Sequence, residues 1–297
     1  MRIKLITSYK PGCWSTYAKK GIESMAEQFP DDIDIFVYLE EQKPDCNFER
    51  INWIDLHQAE PNLVKFKERH RHDPVANGKL EEISGGVRRL PELQTLGGAD
   101  KNNESFLWDA VRFSNKVFCI VNACRNSDEY DYVIWLDADT FTFRPVPENF
   151  FQKLCPPDTM LTYLGREDPQ HPDGGKFPEC GFVCYNLKHA DIKSFIDTWE
   201  NLYNSDTVFK ILEWHDSYVF WHLVKQFKID KKITVNDIGY GINVQGHHVF
   251  VNSVLGKYID HMKGDRKHTG SSSKEDLRHP AKSWNLEYWK KVPRRKP

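Results

Sequence analysis

The chain has 297 residues, a length that fits one large α/β domain or two small ones and suffices to bury a substantial core. Its 41 Lys and Arg residues nearly balance its 43 Asp and Glu residues, which gives a formal net charge of -2. Because no strong field of one sign surrounds such a chain, the composition argues against nucleic acid or an anionic membrane as its partner. Aromatic residues make up 13% of the sequence, and we expect most of them to fill the core.

The cysteines and the N-terminus indicate the compartment. Seven cysteines form an odd set without a CxxC pair or a regular disulfide framework. The N-terminus reads as an immediate strand rather than as a charged segment followed by an apolar one, so we expect no signal peptide. No stretch reaches the length of a bilayer-spanning helix. The sequence therefore predicts a reduced, cytoplasmic protein without a transmembrane segment.

The N-terminal part of the chain predicts a β-α-β unit. Residues 3–8 form an apolar run typical of a buried strand, and residues 15–28 carry apolar side chains at helical spacing. Residues 33–39 predict a second strand, and residues 51–54 predict a third. A strand followed by a helix and another strand indicates parallel pairing in an α/β sheet.

The remainder of the chain divides into three parts. Residues 57–103 lose periodicity and contain two Gly-Gly pairs, so we interpret them as an insertion or as mobile loops. A regular α/β pattern then resumes and completes a single domain over residues 1–280. It predicts helices at residues 106–125, 190–203 and 216–227 and strands at residues 132–136, 160–164 and 181–186. Residues 281–297 form a basic, aromatic tail, for which contact with anionic lipid and a solvated, partly ordered terminus are the alternatives.

Two aspartates follow directly after the apolar strand at residues 132–136. Ligands of an α/β sheet bind at the carboxyl ends of its strands, so Asp137 and Asp139 stand where a site is expected. Their hard oxygen ligands suit Mg²⁺ or Mn²⁺ that bridges two phosphates. An Asp-rich turn that only ends the strand is one alternative. A phosphatase of the haloacid dehalogenase class is another, disfavoured because Phe141 stands where that motif has Thr or Val.

A second motif lies near the carboxyl end of the chain, where His261, Gly264 and Lys267 follow one another at intervals of three residues. The imidazole can complete a metal sphere, and it suits Mn²⁺ better than Mg²⁺. Glycine lets backbone N–H groups approach a phosphate closely, and the lysine supplies a point charge. The spacing therefore predicts a binding site for a diphosphate, with a solvated basic surface as the alternative.

Together, the two motifs resemble those of the GT-A glycosyltransferases, and among them family 8, the glycogenin and galactosyltransferase-like enzymes. That family carries an LDADT-type motif and a late HxxGxxK motif, which match residues 136–140 and 261–267. The family pattern then continues with Pro-Trp, whereas this sequence has His268 and Thr269. The resemblance implies a GT-A fold, an α/β Rossmann-like mixed sheet that is flanked by helices.

The resemblance also implies an activity. Enzymes of this kind use Mn²⁺ or Mg²⁺ to transfer a sugar from a nucleotide-diphosphate sugar to an acceptor hydroxyl. A UDP-sugar is the favoured donor, and the acceptor is a glycan, a glycolipid or a protein. Membership of family 8 implies that the anomeric configuration is retained.

Several donor-binding residues follow from the same resemblance. Thr7 and Tyr17 lie where such enzymes hold the uracil and the ribose, and core packing is the alternative for Tyr17. Arg112 and Lys116 belong to a helical segment whose basic residue meets the donor sugar or its phosphates. The residues that complete the predicted donor-binding set are Asp137, Ala138, Gly264 and Lys267.

Two acidic residues are candidates for catalysis. Glu179 precedes a strand glycine in a segment that resembles the sugar-pocket strand of the family. Asp216 stands in the place of the family's acidic segment near the reacting carbon, with a helix N-cap as the alternative role. A retaining transfer needs no protein base, whereas an inverting one needs a carboxylate, for which Asp216 is the first candidate and Glu179 the second. Trp214 and His215 are predicted to contact the acceptor sugar, and core packing is the alternative for Trp214.

Two further functions stay open at this point. A sugar-phosphate nucleotidyltransferase shares the fold and the metal chemistry, but residues 8–14 are a poor version of the Gly-rich loop that such enzymes carry after the first strand. A lectin-like protein that binds a nucleotide-sugar without turnover is the non-catalytic alternative.

Overall fold

The computed structural model describes residues 1–74, 76–78, 105–166, 176–242, 248–278 and 286–294. Within these residues, strands and helices alternate along the chain, as expected for an α/β fold. The strands are β1 (Ile3–Ser8), β2 (Ile33–Leu39), β3 (Ile51–Asp55), β4 (Tyr132–Leu136), β5 (Thr140–Thr142), β6 (Leu161–Arg166), β7 (Lys176–Asn186), β8 (Val235–Asp237) and β9 (Ile259–His261).

Seven strands of the described ranges form one mixed sheet, in the order β3-β2-β1-β4-β7-β6-β8. β1 pairs in parallel with β2 and with β4, and β2 pairs in parallel with β3. β7 runs antiparallel to β4 and to β6, whereas β8 pairs in parallel with β6. The predicted fold class, an α/β mixed sheet flanked by helices, is confirmed, and so is the parallel pairing of the first strands.

Helices cover both faces of this sheet. They are α1 (Lys19–Gln28), α2 (Leu56–Ala59), α3 (Pro61–Arg69), α4 (Ala110–Arg125), α5 (Phe150–Leu154), α6 (Ile192–Asn204), α7 (Asp216–Asp230), α8 (Val249–Asn252), α9 (Arg266–Thr269) and α10 (Glu287–Lys291). One core layer contains side chains of α2, α3, α4, α6 and α7, and the other contains side chains of α1, α5, α8 and α10. Across the described ranges, the helices lack the combination of length and apolar composition that crossing a bilayer requires.

Strand β4 shows why its sequence is apolar throughout. Val133 and Trp135 point into one core layer, and Ile134 and Leu136 point into the other. Successive side chains of a strand face opposite sides, so a strand covered on both faces carries an unbroken apolar run.

A two-stranded antiparallel ribbon lies beside the main sheet. β5 pairs with β9, so that Thr140 lies opposite His261 and Thr142 opposite Ile259. Because β5 begins directly after Asp139 and β9 ends on His261, the ribbon brings the two sequence motifs together. Each strand has three residues, which is too short for a periodic pattern to predict it.

Helix α1 packs directly behind the turn at residues 137–139. A methyl group on Gly21 would lie 2.2 Å from the carbonyl oxygen of Ala138 and 2.7 Å from that of Thr140. Glycine therefore permits the close approach of the helix to this turn. One helical turn further on, the hydroxyl of Ser24 accepts a hydrogen bond of 2.9 Å from the backbone N–H of Thr142.

The interpretation of residues 57–103 is corrected at its start. Residues 56–69 form α2 and α3, which bury Leu63 and Phe66 in the same core layer as α4. Their apolar side chains are few, so the helical pattern in the sequence is broken although the helices belong to the core. Residues 75 and 79–104 lie outside the described residues, and the rest of that interpretation falls on them.

The described part of the tail, residues 286–294, packs on the second core layer. Trp289 is buried and donates its Nε1–H to the carbonyl oxygen of Gly256 at 2.8 Å. Tyr288 stacks on Phe143 with ring centroids 4.1 Å apart and donates its hydroxyl to Asp260 at 2.6 Å. The expectation of a solvated tail is therefore wrong for Tyr288 and Trp289, whose rings pack on the core, whereas Glu287, Lys290 and Lys291 are exposed.

Candidate functional site

A cleft of about 650 Å³ opens at the carboxyl ends of β1, β2 and β4 and extends along β7. This is the edge at which an α/β sheet binds its ligands. Of the fourteen predicted site residues, all but Thr7 and Trp214 line it. The lining residues among them are Tyr17, Arg112, Lys116, Asp137, Ala138, Asp139, Glu179, His215, Asp216, His261, Gly264 and Lys267.

Thr7 and Trp214 lie in the core instead. Thr7 is fully buried on β1, and its hydroxyl has no hydrogen-bond partner among the described residues. Trp214 packs edge-on against Phe209 and donates its Nε1–H to the carbonyl oxygen of Ile211 at 2.8 Å. Burial places both side chains outside the cleft, so the structure does not bring Thr7 and Trp214 together with the other predicted site residues. Trp214 has the core packing that was its alternative.

Asp137, Asp139 and His261 converge in this cleft. Ligand atoms of all three lie within 4.8 Å of one another. The Nε2 atom of His261 is 3.2 Å from Oδ1 of Asp139 and 3.6 Å from Oδ2 of Asp137. The end of β4 supplies the aspartates and the β5–β9 ribbon supplies the histidine, so backbone pairing fixes the arrangement. Two carboxylates and an imidazole are a donor set that suits Mn²⁺.

The surroundings of His261 show that this donor set fits a cation. The side chain is 1% exposed, and Nε2 faces the two aspartates at ion-pair distance, but neither ring nitrogen has a partner with hydrogen-bond geometry among the described residues. Buried polar atoms are normally satisfied, and a metal ion satisfies an imidazole that faces carboxylates. Gly181 makes room for the ring, since a methyl group there would lie 2.7 Å from its Cε1 atom.

The ammonium group of Lys267 also lies beside Asp139, next to the oxygen that does not face His261. Its Nζ atom lies 3.0 Å from Oδ2 of Asp139 and 4.7 Å from the centre of the Tyr17 ring. Burial alone would raise the pKa of Asp139, but His261 and Lys267 outweigh it and the pKa is lowered. Burial alone would lower the pKa of His261, but Asp139 and neighbouring carboxylates outweigh it and the pKa is raised. Asp139 is therefore ionised at neutral pH.

Lys116, on α4, joins three elements around the first aspartate. Its Nζ atom lies 3.0 Å from Oδ1 of Asp137, 2.7 Å from the carbonyl oxygen of Cys180 and 2.8 Å from Oδ2 of Asp216. Three ammonium protons thus meet three acceptors. Burial lowers the pKa of Lys116, but the two carboxylates more than offset this and raise it, so the ammonium group stays charged.

Asp216 is the first residue of α7, and His215 occupies the N-cap position. The N-cap role considered for Asp216 is therefore not the one observed. Burial would raise the pKa of Asp216, but Lys116 and His215 outweigh it and the pKa is lowered. The carboxylate consequently stays ionised where it faces the cleft.

Glu179, on β7, is held between two cations. Its Oε2 atom accepts a hydrogen bond of 2.6 Å from Nζ of Lys263, and it also pairs with the guanidinium of Arg166. Burial would raise the pKa of Glu179, but Lys263 and Arg166 outweigh it and lower the pKa well below its ordinary value. An ionised carboxylate in a cleft can accept hydrogen bonds from sugar hydroxyls.

The cleft also contains residues that the sequence analysis missed. Phe113 and Phe177 line its wall and flank His215, with ring centroids 6.0 Å and 4.5 Å from the imidazole. Glu40 also lines it, and burial raises its pKa to about 7. Glu40 follows the end of a predicted strand, so the strand-end rule could have found it. Nothing in the sequence distinguishes the two phenylalanines from core residues.

The chain matches no protein-family model and no curated protein sequence. Among solved structures, it is similar to a glycosyltransferase involved in the glycosylation of the major capsid of PBCV-1, with 11% identity and a TM-score of 0.41, covering 91% of this chain and 98% of that one. It is also similar to mouse xyloside xylosyltransferase 1 in its apo form, with 11% identity and a TM-score of 0.41, covering 80% of this chain and 86% of that one.

Proposed function

We propose that this chain is a metal-dependent glycosyltransferase that moves a sugar from a nucleotide-diphosphate sugar to an acceptor hydroxyl. One observation carries the proposal. The two aspartates at the end of β4 and a buried histidine from the β5–β9 ribbon converge at the ligand-binding edge of the sheet, with a lysine beside them. A divalent cation and a diphosphate are the ligands that such a group of side chains fits.

Asp137, Asp139 and His261 would hold the cation, for which Mn²⁺ is favoured. When bound, such a cation offsets the negative charge that develops on a departing nucleoside diphosphate. Lys267 contributes a further positive charge on the same side. Gly264 adopts a φ of 64°, which lets the chain turn after β9 and return Lys267 to Asp139.

The donor has a definite orientation in this proposal. β1 and β7 lie on the two sides of β4, the strand that ends before Asp137 and Asp139. Since the resemblance to GT-A enzymes assigns Tyr17 to the nucleoside and the β7 segment to the sugar, the nucleoside lies on the β1 side and the sugar on the β7 side in this proposal. Tyr17 and Arg112 then line the nucleoside end, for which a UDP-sugar is the favoured donor. Glu179 and Asp216 line the sugar end, where their ionised carboxylates accept hydrogen bonds from hydroxyl groups.

The acceptor lies against the opposite wall in this proposal. Phe113 and Phe177 line the cleft beside His215, and aromatic side chains pack well against the apolar face of a sugar. A glycan, a glycolipid or a protein supplies the attacking hydroxyl. The resemblance to family 8 favours retention of configuration, in which no protein base is needed. If the configuration inverts, Asp216 takes the acceptor proton.

Donor turnover tests the proposal. The full chain is incubated with a panel of UDP- and GDP-sugars in Mn²⁺ or in EDTA, and the released nucleoside diphosphate is measured by chromatography. We expect release from at least one UDP-sugar in Mn²⁺ and none in EDTA. Release that EDTA leaves unchanged would contradict metal dependence. Mn²⁺-dependent binding of every donor without any release would instead indicate a nucleotide-sugar binder.

A further inference from the structure

Trp135 makes a hydrogen bond that the proposed chemistry does not use. It stands two residues before Asp137, and its Nε1–H donates to Oδ1 of that carboxylate at 2.6 Å. Trp135 is 2% exposed and packs in the core layer that contains α4. A neutral ring buried in the core thus reaches a carboxylate at the end of the strand.

The same oxygen atom receives a second donor. Nζ of Lys116 lies 3.0 Å from Oδ1 of Asp137 and 4.8 Å from the centre of the Trp135 ring. The other oxygen, Oδ2, lies 3.6 Å from Nε2 of His261. One oxygen of Asp137 is therefore engaged by two donors on the core side, and the other faces the histidine.

We propose that Trp135 is a positioning residue for the cation site, which holds Oδ1 of Asp137 together with Lys116 so that Oδ2 is presented to the cation. This inference rests on the proposed function. A carboxylate can rotate about its terminal torsion and can bind a cation through one or both oxygens. Two donors on Oδ1 fix that torsion before the cation arrives, and they reserve Oδ2 as its single ligand atom.

Pre-orientation has a measurable consequence. Hydrogen bonds from outer groups to metal ligands hold the ligands in place, and their loss typically weakens metal binding by about 10- to 100-fold. Trp135→Phe removes the Nε1–H and keeps an aromatic ring in the core. We expect Mn²⁺ alone to bind the full-length W135F protein at least about tenfold more weakly than the unmodified protein, as measured by isothermal titration calorimetry.

Trp199 supplies the matched control. It is also 2% exposed and lies in the same core layer, but its Nε1 has no hydrogen-bond partner among the described residues. Trp199→Phe makes the same change of side chain without breaking a hydrogen bond to a carboxylate. We expect W199F to bind Mn²⁺ with the affinity of the unmodified protein. The melting temperatures of W135F and W199F measure how much stability each variant loses because a buried Trp is replaced by the smaller Phe.

The possible outcomes separate this inference from the proposed function. Unchanged Mn²⁺ affinity in W135F overturns the inference, and so does an equal loss in W199F, which would indicate packing alone. If the unmodified protein does not bind Mn²⁺, the proposed function fails and the inference fails with it. If W135F does not fold, Lys116→Met removes the other donor to Oδ1, and unchanged Mn²⁺ binding in K116M overturns the inference.

Discussion

Gly181 borders the ring of His261, and the missing side chain of this glycine decides where the ring can lie. A methyl group at residue 181 would be 2.7 Å from Cε1 and 3.0 Å from Nδ1 of the imidazole. Carbon atoms pack at about 3.5–4.0 Å, so the ring would have to move. Because His261 is paired through β9 and buried, such a movement would separate it from the aspartates.

Gly181→Ala is therefore expected to weaken Mn²⁺ binding. The backbone of Gly181 does not have a positive φ, so alanine should fit the strand itself and the fold should survive. Calorimetric titration with Mn²⁺ measures the affinity, and circular dichroism verifies the fold. An unchanged affinity in a folded G181A protein would show that His261 is not a ligand.

At this scale, the sequence predicts the residues whose chemistry is visible in a short motif. Asp137 and Asp139 follow a buried strand, and His261 and Lys267 share a fixed spacing, and all four line the cleft. Trp135 was identified only as part of a strand, because its hydrogen bond depends on the geometry at the strand end.

Helix α9 shows how a neighbouring segment holds the second motif in place. Arg266 lies between Gly264 and Lys267 and donates from Nε to Oδ2 of Asp276 at 2.8 Å, while its Nη2 pairs with Oδ1. Asp276 also accepts hydrogen bonds from the backbone and the hydroxyl of Ser273. Asp276 therefore anchors the loop that carries Lys267 to Asp139.

Replacement of Asp276 by Asn should destabilise the protein in a pH-dependent way. Burial would raise the pKa of Asp276, but its bonds to Arg266 and Ser273 outweigh it and lower the pKa below the ordinary 3.8. A lowered pKa contributes stability above about pH 3.8, and this contribution is lost as the pH falls further. At neutral pH, D276N should lose about 2–3 kcal/mol of unfolding free energy, because its hydrogen bonds no longer involve a charged acceptor.

Urea denaturation of D276N and of the unmodified protein at several pH values measures this difference. The gap between the two unfolding free energies should be largest at neutral pH and should narrow as the pH falls below 3.8. A gap that stays constant down to low pH would contradict the role assigned to the charge of Asp276.

The elements that the sequence predicts well are those with long apolar runs or clear helical spacing. β1, β2 and β4 agree with the prediction at both ends. β4 is buried throughout, β1 is buried except at its last residue, and β2 is buried at five of its seven residues. The β5–β9 ribbon was not predicted, because a three-residue strand has no period. Yet this ribbon pairs two strands that lie far apart in the sequence, and this pairing brings His261 to Asp139.

Across the whole molecule, the carboxyl-terminal segment closes one face of the core. Trp289 is 2% exposed, contacts Phe143 edge-on at 5.6 Å and bonds to Gly256. Trp289→Ala should lower the unfolding free energy by about 3–5 kcal/mol, the usual cost of removing a buried Trp. Tyr240 is 74% exposed, so Tyr240→Ala is the matched control and should change stability by less than about 0.5 kcal/mol.

Chemical denaturation of the two variants tests this prediction. Equal stabilities of W289A and of the unmodified protein would mean that residues 286–294 do not pack as the structure describes. The basic composition of the tail could not reveal this packing, since the rings that it contributes meet partners more than a hundred residues earlier in the chain.

The central claim is that Asp137 and Asp139 hold the cation on which transfer of the sugar depends. The most direct test is nucleoside diphosphate release in Mn²⁺ by the double variant Asp137→Ala, Asp139→Ala, with a donor that the unmodified protein turns over. We expect release to fall to the background seen in EDTA, while circular dichroism shows an intact fold. Release by the double variant at the rate of the unmodified protein would contradict the account.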